Sequence, residues 1–298
     1  MKNIFSSLRR KSRRSITINE ILRSPQSNDS VVNIHRMDHN NVGDLYCAPH
    51  HYFDVLKDKG LDIFDYQKPD IDVRRNFIDT INANALIIGG GGFLNRSGFS
   101  RQMNMFEKLT DKNKKIVLWG IGHNSKHPKH YDKGSHYSVD TSKFGLVGTR
   151  DVHGTGEYVP CVSCLHSVFD TVYDETRNVG VIFHKDTLKR KTLLRRLENY
   201  QTTSNTTNMK EMVAFIGESN TVVTDSYHAM YWSFLMGKKV VAIPNSTKFF
   251  DFKYKPVVST FKDFEADISK GISYSGLLEE CREINLKFAD KTFDYLNL

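Results

Sequence analysis

The stretch TVVTDSYHAMYWSFLMGKKVVAI, Thr221–Ile243, decides the fold class. Thr221–Thr224 and Lys239–Ile243 are short runs rich in β-branched residues, as in strands buried on both faces. Between them, Tyr227–Met236 is predicted to be a helix. Strand, helix and strand in succession define a crossover unit of a parallel sheet.

The same alternation extends outward from this unit. Upstream, Val179–Phe183 is predicted as a strand, Leu188–Asn199 as a basic helix and Met209–Gly217 as a short helix. Further back, Val31–His35, Asp62–Phe64, Ala85–Ile88, Ile116–Trp119 and Phe144–Gly148 read as strands. Helices are predicted over Asp44–Lys59 and Arg101–Thr110, with Val73–Ala83 lying between two of the strands. Charge and turn residues near Asp170–Arg177 separate the two series. The expected architecture is α/β: one Rossmann-like domain over residues 1–172 and a second over 173–298. The helical stretch Tyr274–Leu296 is expected to pack back on the first. A length of 298 residues agrees with about two domains at roughly 150 residues each.

Hydrophobic residues make up 39% and charged residues 26%, which excludes wholesale disorder. The longest apolar-like run, Ala85–Leu94, includes four glycines and is too short to span a bilayer. The start, Met1–Phe5, has no apolar h-region, so a cytoplasmic protein is expected. Four cysteines include the CxxC pair Cys161 and Cys164 without a second CxxC. They are therefore expected to be reduced structural residues rather than metal ligands.

The net charge is +8, and Arg9, Arg10, Lys11, Arg13 and Arg14 crowd one segment with no acid before Glu20. Residues 1–16 read as a solvated basic arm or as a contact to an anionic membrane surface. No aromatic side chain interleaves the cluster, which argues against nucleic acid.

Ligands of doubly wound sheets sit at the carboxyl ends of the strands, and four features fall there. In Asn40–Asp44, Asp44 caps a helix or, with Asn41 and Gly43, meets a substrate. Gly89–Gly92 frees the backbone for close approach of a ligand. It is neither GxGxxG, since Phe93 and Leu94 follow, nor a P-loop, which needs Gly-Lys-Ser/Thr. Arg150, in Gly148–Asp151, offers bidentate donors to phosphate or carboxylate, or pairs with Asp151. His228 stands in the first turn of a helix, where the dipole disfavours its cationic form; it is a general acid/base or a packed polar residue.

The series Asn41-Val-Gly-Asp44, Ile88-Gly-Gly-Gly-Gly92, Trp119-Gly-Ile-Gly122, Gly148-Thr-Arg-Asp151, Val159-Pro-Cys-Val-Ser-Cys164 and Val223-Thr-Asp-Ser-Tyr-His-Ala229 resembles the polysaccharide pyruvyl transferase family. The blocks run in family order from about residue 31 to residue 250. The resemblance implies two Rossmann-like domains in a GT-B-like arrangement with an interdomain cleft. It also implies transfer of pyruvate from phosphoenolpyruvate onto two hydroxyls of a capsule or exopolysaccharide sugar, giving a ketal and free phosphate. Phosphoenolpyruvate is then a co-substrate, and no cofactor or metal is implied. Where many relatives carry Arg-Leu-His, this chain has Ser226-Tyr227-His228, so donor-binding cations are sought elsewhere.

On this basis His228 is the expected acid/base with Asp225 as its partner. Arg150, Lys185, Ser226 and Lys248 are expected on the donor, and Asn41, Gly43, Asp44, Gly90, Gly91 and Gly92 on a saccharide acceptor, free or lipid-linked. His184 is a further strand-end candidate. The alternative is a GT-B glycosyltransferase using a nucleotide sugar, with Glu218 on the ribose. A non-enzymatic carbohydrate- or membrane-associated assembly factor is the third reading; it would tolerate loss of His228.

Overall fold

The computed structural model describes residues 2–130 and 136–298. Among them, eleven strands form two sheets, parallel throughout. The first holds β1 (Ser30–His35), β2 (Gly60–Asp62), β3 (Asn84–Leu94), β4 (Ile116–His123), β5 (Leu146–Thr149) and β6 (Glu157–Tyr158), in the order β2-β1-β3-β4-β5-β6. The second holds β7 (Arg177–Phe183), β8 (Gln201–Ser204), β9 (Ser219–Thr224), β10 (Lys239–Ala242) and β11 (Val257–Val258), in the order β11-β10-β9-β7-β8. The α/β class expected from the alternating pattern is the one observed.

Nine α-helices are described: α1 (Lys2–Arg23), α2 (Val42–Tyr46), α3 (Ile71–Ala83), α4 (Ser100–Thr110), α5 (Lys191–Arg196), α6 (Met209–Gly217), α7 (Tyr227–Leu235), α8 (Phe264–Asp267) and α9 (Leu277–Leu296). The strands read as continuous apolar runs because both sheet faces are covered. Along β3, Leu86 and Ile88 join a core with Ile21 of α1, Phe77 of α3 and Phe106 of α4. Ala85 and Ile87 point the other way, onto Phe288 and Ala289 of α9. In the second sheet, Val181, Val223 and Val241 pack on Leu193 and Phe264. Ile182, Val222 and Val240 pack on the α6 and α7 side. Every residue of α7 is buried, which accounts for its apolar character all round.

Four expectations need correction. β3 does not stop at Ile88 but runs through all four glycines to Leu94. The helix predicted over Asp44–Lys59 is only the five-residue α2. Ala48 is extended at φ −107°, ψ 135° because Pro49 follows, and short 3₁₀ turns replace the rest. The helix predicted over Leu188–Asn199 contracts to α5. Residues 2–16, expected as a solvated basic arm, belong to α1, which is anchored by buried Thr17 and Ile21; residue 1 lies outside the described residues. Arg14 Nε donates to Gln67 Oε1 at 2.6 Å, while the side chains of Arg9 and Arg10 lie outside the described residues.

Candidate active site at the strand ends

The carboxyl ends of β1, β4 and β5 meet those of β7, β9 and β10 through contacts between side chains of both sheets. At the centre is Arg150, which follows β5. It is 2% exposed, and its Nε and Nη1 have no hydrogen-bond partner among the described residues. Its guanidinium carbon lies 4.2 Å from the ring centre of Tyr227, the first residue of α7. Lys248 Nζ approaches the same ring at 5.6 Å. Lys248 is half-buried, and burial, followed by the charge of Arg150, lowers its pKa to about 7.

His228 is 7% exposed. A Cβ on Gly43 would lie 2.1 Å from His228 Nδ1, so only glycine allows α2 to approach the imidazole this closely. The other ring nitrogen lies 3.7 Å from Cys161 Sγ. Burial first, then the charges of Arg150 and Lys248, hold His228 well below the ordinary histidine range. The imidazole is therefore neutral near pH 7. Burial raises the pKa of Asp44, next to Gly43. The site thus combines the Arg150 cation, a lysine whose pKa is lowered to about 7, a neutral imidazole and a carboxyl group whose pKa burial raises.

Other expected site residues are already engaged. Asp225 does not orient His228 among the described residues. Its Oδ1 accepts from the His184 N–H at 2.6 Å and its Oδ2 from Thr187 Oγ1 at 2.5 Å, which fastens the loop after β7. Burial pushes its pKa up to about 6. Lys185 Nζ is paired with Asp38 Oδ2 at 2.5 Å. Asn41 takes Asn205 Nδ2 on its Oδ1 at 3.0 Å and donates to Asp44 Oδ2 at 2.8 Å, tying the loop after β1 to the loop after β8. Ser226 is the buried N-cap position of α7.

The glycine run is closely packed by the protein's own chain. A Cβ on Gly89 would lie 2.1 Å from Trp119 O, and one on Gly90 2.3 Å from Cys47 O. Gly90 N–H donates to Cys47 O at 2.9 Å. Gly90 and Gly91 are buried, so of this run only the half-buried Gly92 remains near the surface. Close backbone approach was legible in four consecutive glycines, but the approaching backbone is internal. His184 has its pKa lowered to about 4, mainly by burial. Glu218 pairs with Arg177 at 2.5 Å at the amino-terminal edge of β9, the opposite end from the site. The four cysteines are free and buried, and burial raises the pKa of each thiol.

Sequence reasoning missed three groups. Tyr227, the ring between Arg150 and Lys248, had no role assigned beyond its place in Ser226-Tyr227-His228. Cys161 was not placed against His228. His123 carried one signal, since it directly follows the Trp119–Gly122 block.

This constellation gathers the polar groups of an α/β protein at the carboxyl ends of its strands, where ligands of such sheets bind. The sequence model of the polysaccharide pyruvyl transferase family matches residues 18–247, and the chain belongs to that family. No curated protein matches it. Among solved structures, a functionally uncharacterised protein of Klebsiella pneumoniae subsp. pneumoniae is 14% identical with a TM-score of 0.42. That match covers 73% of this chain and 84% of the other. A protein of Listeria monocytogenes assigned as a UDP-N-acetylglucosamine 2-epimerase is 10% identical with a TM-score of 0.43, covering 88% and 90%. Among the described residues no helix is long and apolar enough to cross a membrane.

Proposed function

We propose that the protein transfers pyruvate from phosphoenolpyruvate to two hydroxyls of a polysaccharide sugar, in a cleft between two Rossmann-like halves arranged as in GT-B enzymes. One observation carries the reading: Arg150 buries a cation whose Nε and Nη1 meet no acceptor among the described residues. A buried unpaired charge is costly, and a phosphate or carboxylate would supply the missing acceptors. Lys248, beside the same ring, is the second donor-binding group.

In this mechanism the methylene carbon of phosphoenolpyruvate takes a proton, which leaves C2 electron-poor. A sugar hydroxyl attacks C2, the bond from C2 to the phosphate oxygen breaks, and a second hydroxyl closes the ketal as its proton passes to the departing phosphate. The neutral imidazole of His228 is suited to take the proton of the attacking hydroxyl. Asp44, with its raised pKa, is suited to hold the proton that the methylene carbon needs. Arg150 and Lys248 stabilise the leaving phosphate. Asp44 and Gly92 face the acceptor. The basic sequence Arg9–Arg14 would hold the protein at an anionic membrane surface carrying a lipid-linked acceptor.

The test is phosphate release from phosphoenolpyruvate with candidate glycans, together with mass spectrometry of the glycan for an added pyruvyl ketal. Thermal stabilisation by phosphoenolpyruvate but not by nucleotide sugars is expected. Stabilisation by a nucleotide sugar alone would favour a glycosyltransferase.

A further inference from the structure

A second buried cluster, outside this mechanism, sits where the same loops meet. His123 ends β4, Asp151 follows β5 and Asp251 lies in the loop after β10. They are 4%, 3% and 7% exposed. His123 Nε2 makes no hydrogen bond among the described residues. It lies 3.4 Å from Asp251 Oδ2 and 3.8 Å from Asp151 Oδ1. One ligand atom from each of the three residues can be chosen within 4.8 Å of the other two. A tetrahedral cation with bonds of about 2.0–2.1 Å spaces its ligand atoms about 3.4 Å apart.

The surrounding groups aim these atoms at one another. His123 Nδ1 is engaged by Thr247 Oγ1 at 2.5 Å, which leaves Nε2 pointing inward. Asp151 Oδ2 accepts from the His123 N–H at 2.7 Å and from the Tyr137 hydroxyl at 2.9 Å, which turns Oδ1 toward the ring. Asp251 Oδ1 meets His153 through its backbone N–H at 3.2 Å and its Nδ1 at 2.6 Å, while Oδ2 faces His123. Hydrogen-bonded outer partners of this kind orient the ligands of metal centres. Two carboxylates placed together in a low-dielectric interior also call for positive charge.

We propose that His123, Asp151 and Asp251 bind a divalent transition-metal cation, with zinc the best match to one imidazole and two carboxylate oxygens. The cation ties the ends of β4 and β5 to the loop after β10. Arg150 is the neighbour of Asp151, and Lys248 is the neighbour of Thr247. The metal would therefore hold the two cation-bearing loops in register.

The 298-residue protein, stripped with a chelator and dialysed against zinc chloride, tests this by mass-spectrometric metal analysis. One zinc per chain is expected in the wild type, and less than a tenth of that in His123→Gln and Asp251→Asn variants with wild-type circular dichroism. His51→Ala disrupts a separate cluster of His35, His50 and His51 and should leave the stoichiometry unchanged. Should the triad variants fail to fold, X-ray absorption of the zinc-loaded His51→Ala protein, in which the second cluster is disrupted, still decides. A low-coordinate nitrogen and oxygen shell at about 2.0–2.1 Å is expected. A wild type that binds no zinc, zinc lost only in His51→Ala, or a six-coordinate all-water shell overturns the proposal. The cluster would then be a purely structural contact between the three side chains.

Discussion

The guanidinium of Arg150 lies over the ring of Tyr227, 4.2 Å from its centre, joining the end of β5 to the start of α7. The ring offers the cation a π-face but no hydrogen-bond acceptor. Arg150 is therefore held in place without its Nε and Nη1 being satisfied.

Arg150→Met separates binding from folding. Replacing a buried, incompletely paired cation with an apolar chain removes a desolvation cost, so the thermal midpoint should stay level or rise. Two charge-assisted hydrogen bonds at about 1.5–3 kcal/mol each should disappear, lowering kcat/KM for phosphoenolpyruvate at least about 100-fold. Scanning fluorimetry and a phosphate-release assay give the two readings. A fall in midpoint with unchanged kcat/KM would make Arg150 structural.

Gly43→Ala should act on the imidazole rather than on the backbone. The new Cβ falls 2.1 Å from His228 Nδ1, so ring or helix must move at about 1–3 kcal/mol. Phosphate release should fall toward the level of His228→Gln, about 10²–10⁴-fold below wild type for a lost proton-transfer group. The two losses should not add in the double variant, because both remove the same placement of one ring. Additive losses would separate Gly43 from His228.

Two buried groups give stability opposite slopes with pH. Lys248 has a folded pKa near 7 against an ordinary 10.5, so the unfolded chain binds more protons across that window. Stability from this group rises as pH increases from about 7 to 10.5. Asp225 has a folded pKa near 6 against 3.8, so the folded chain binds more protons there, and stability falls as pH rises from about 4 to 6. Urea midpoints should lose the alkaline slope in Lys248→Met and the acid slope in Asp225→Asn. A slope of the other sign in either window contradicts the assignment.

Deleting residues 1–16 removes the amino-terminal part of α1 and the Arg14–Gln67 hydrogen bond, but leaves buried Thr17 and Ile21. Binding to vesicles containing anionic lipid should drop at low salt, with phosphate release from a soluble acceptor retained. Unchanged co-sedimentation would remove the membrane role from this helix.

The local composition of the strands was legible because a strand covered on both faces must be apolar along its length, as in Thr221–Thr224 and Lys239–Ala242. The short α2 was less legible. The break at Ala48 depends on Pro49, whose effect on the preceding residue competes with the helical pattern around it. The glycine run illustrates a different limit. Its residue type signals close approach, yet whether a ligand or Cys47 and Trp119 make that approach depends on packing between distant segments.

By itself, then, the sequence determined the α/β class, the order of the family motifs and the chemical kinds of side chain at the strand ends. Only the tertiary structure decided their states. Asp38 pairs with Lys185 and Thr187 donates to the carboxylate of Asp225, while Arg150 Nε and Nη1 have no partner among the described residues and His228 is neutral. The meeting of His123, Asp151 and Asp251 is likewise absent from any local pattern. Burial and charge proximity set these properties, and both arise where loops far apart along the chain are brought together.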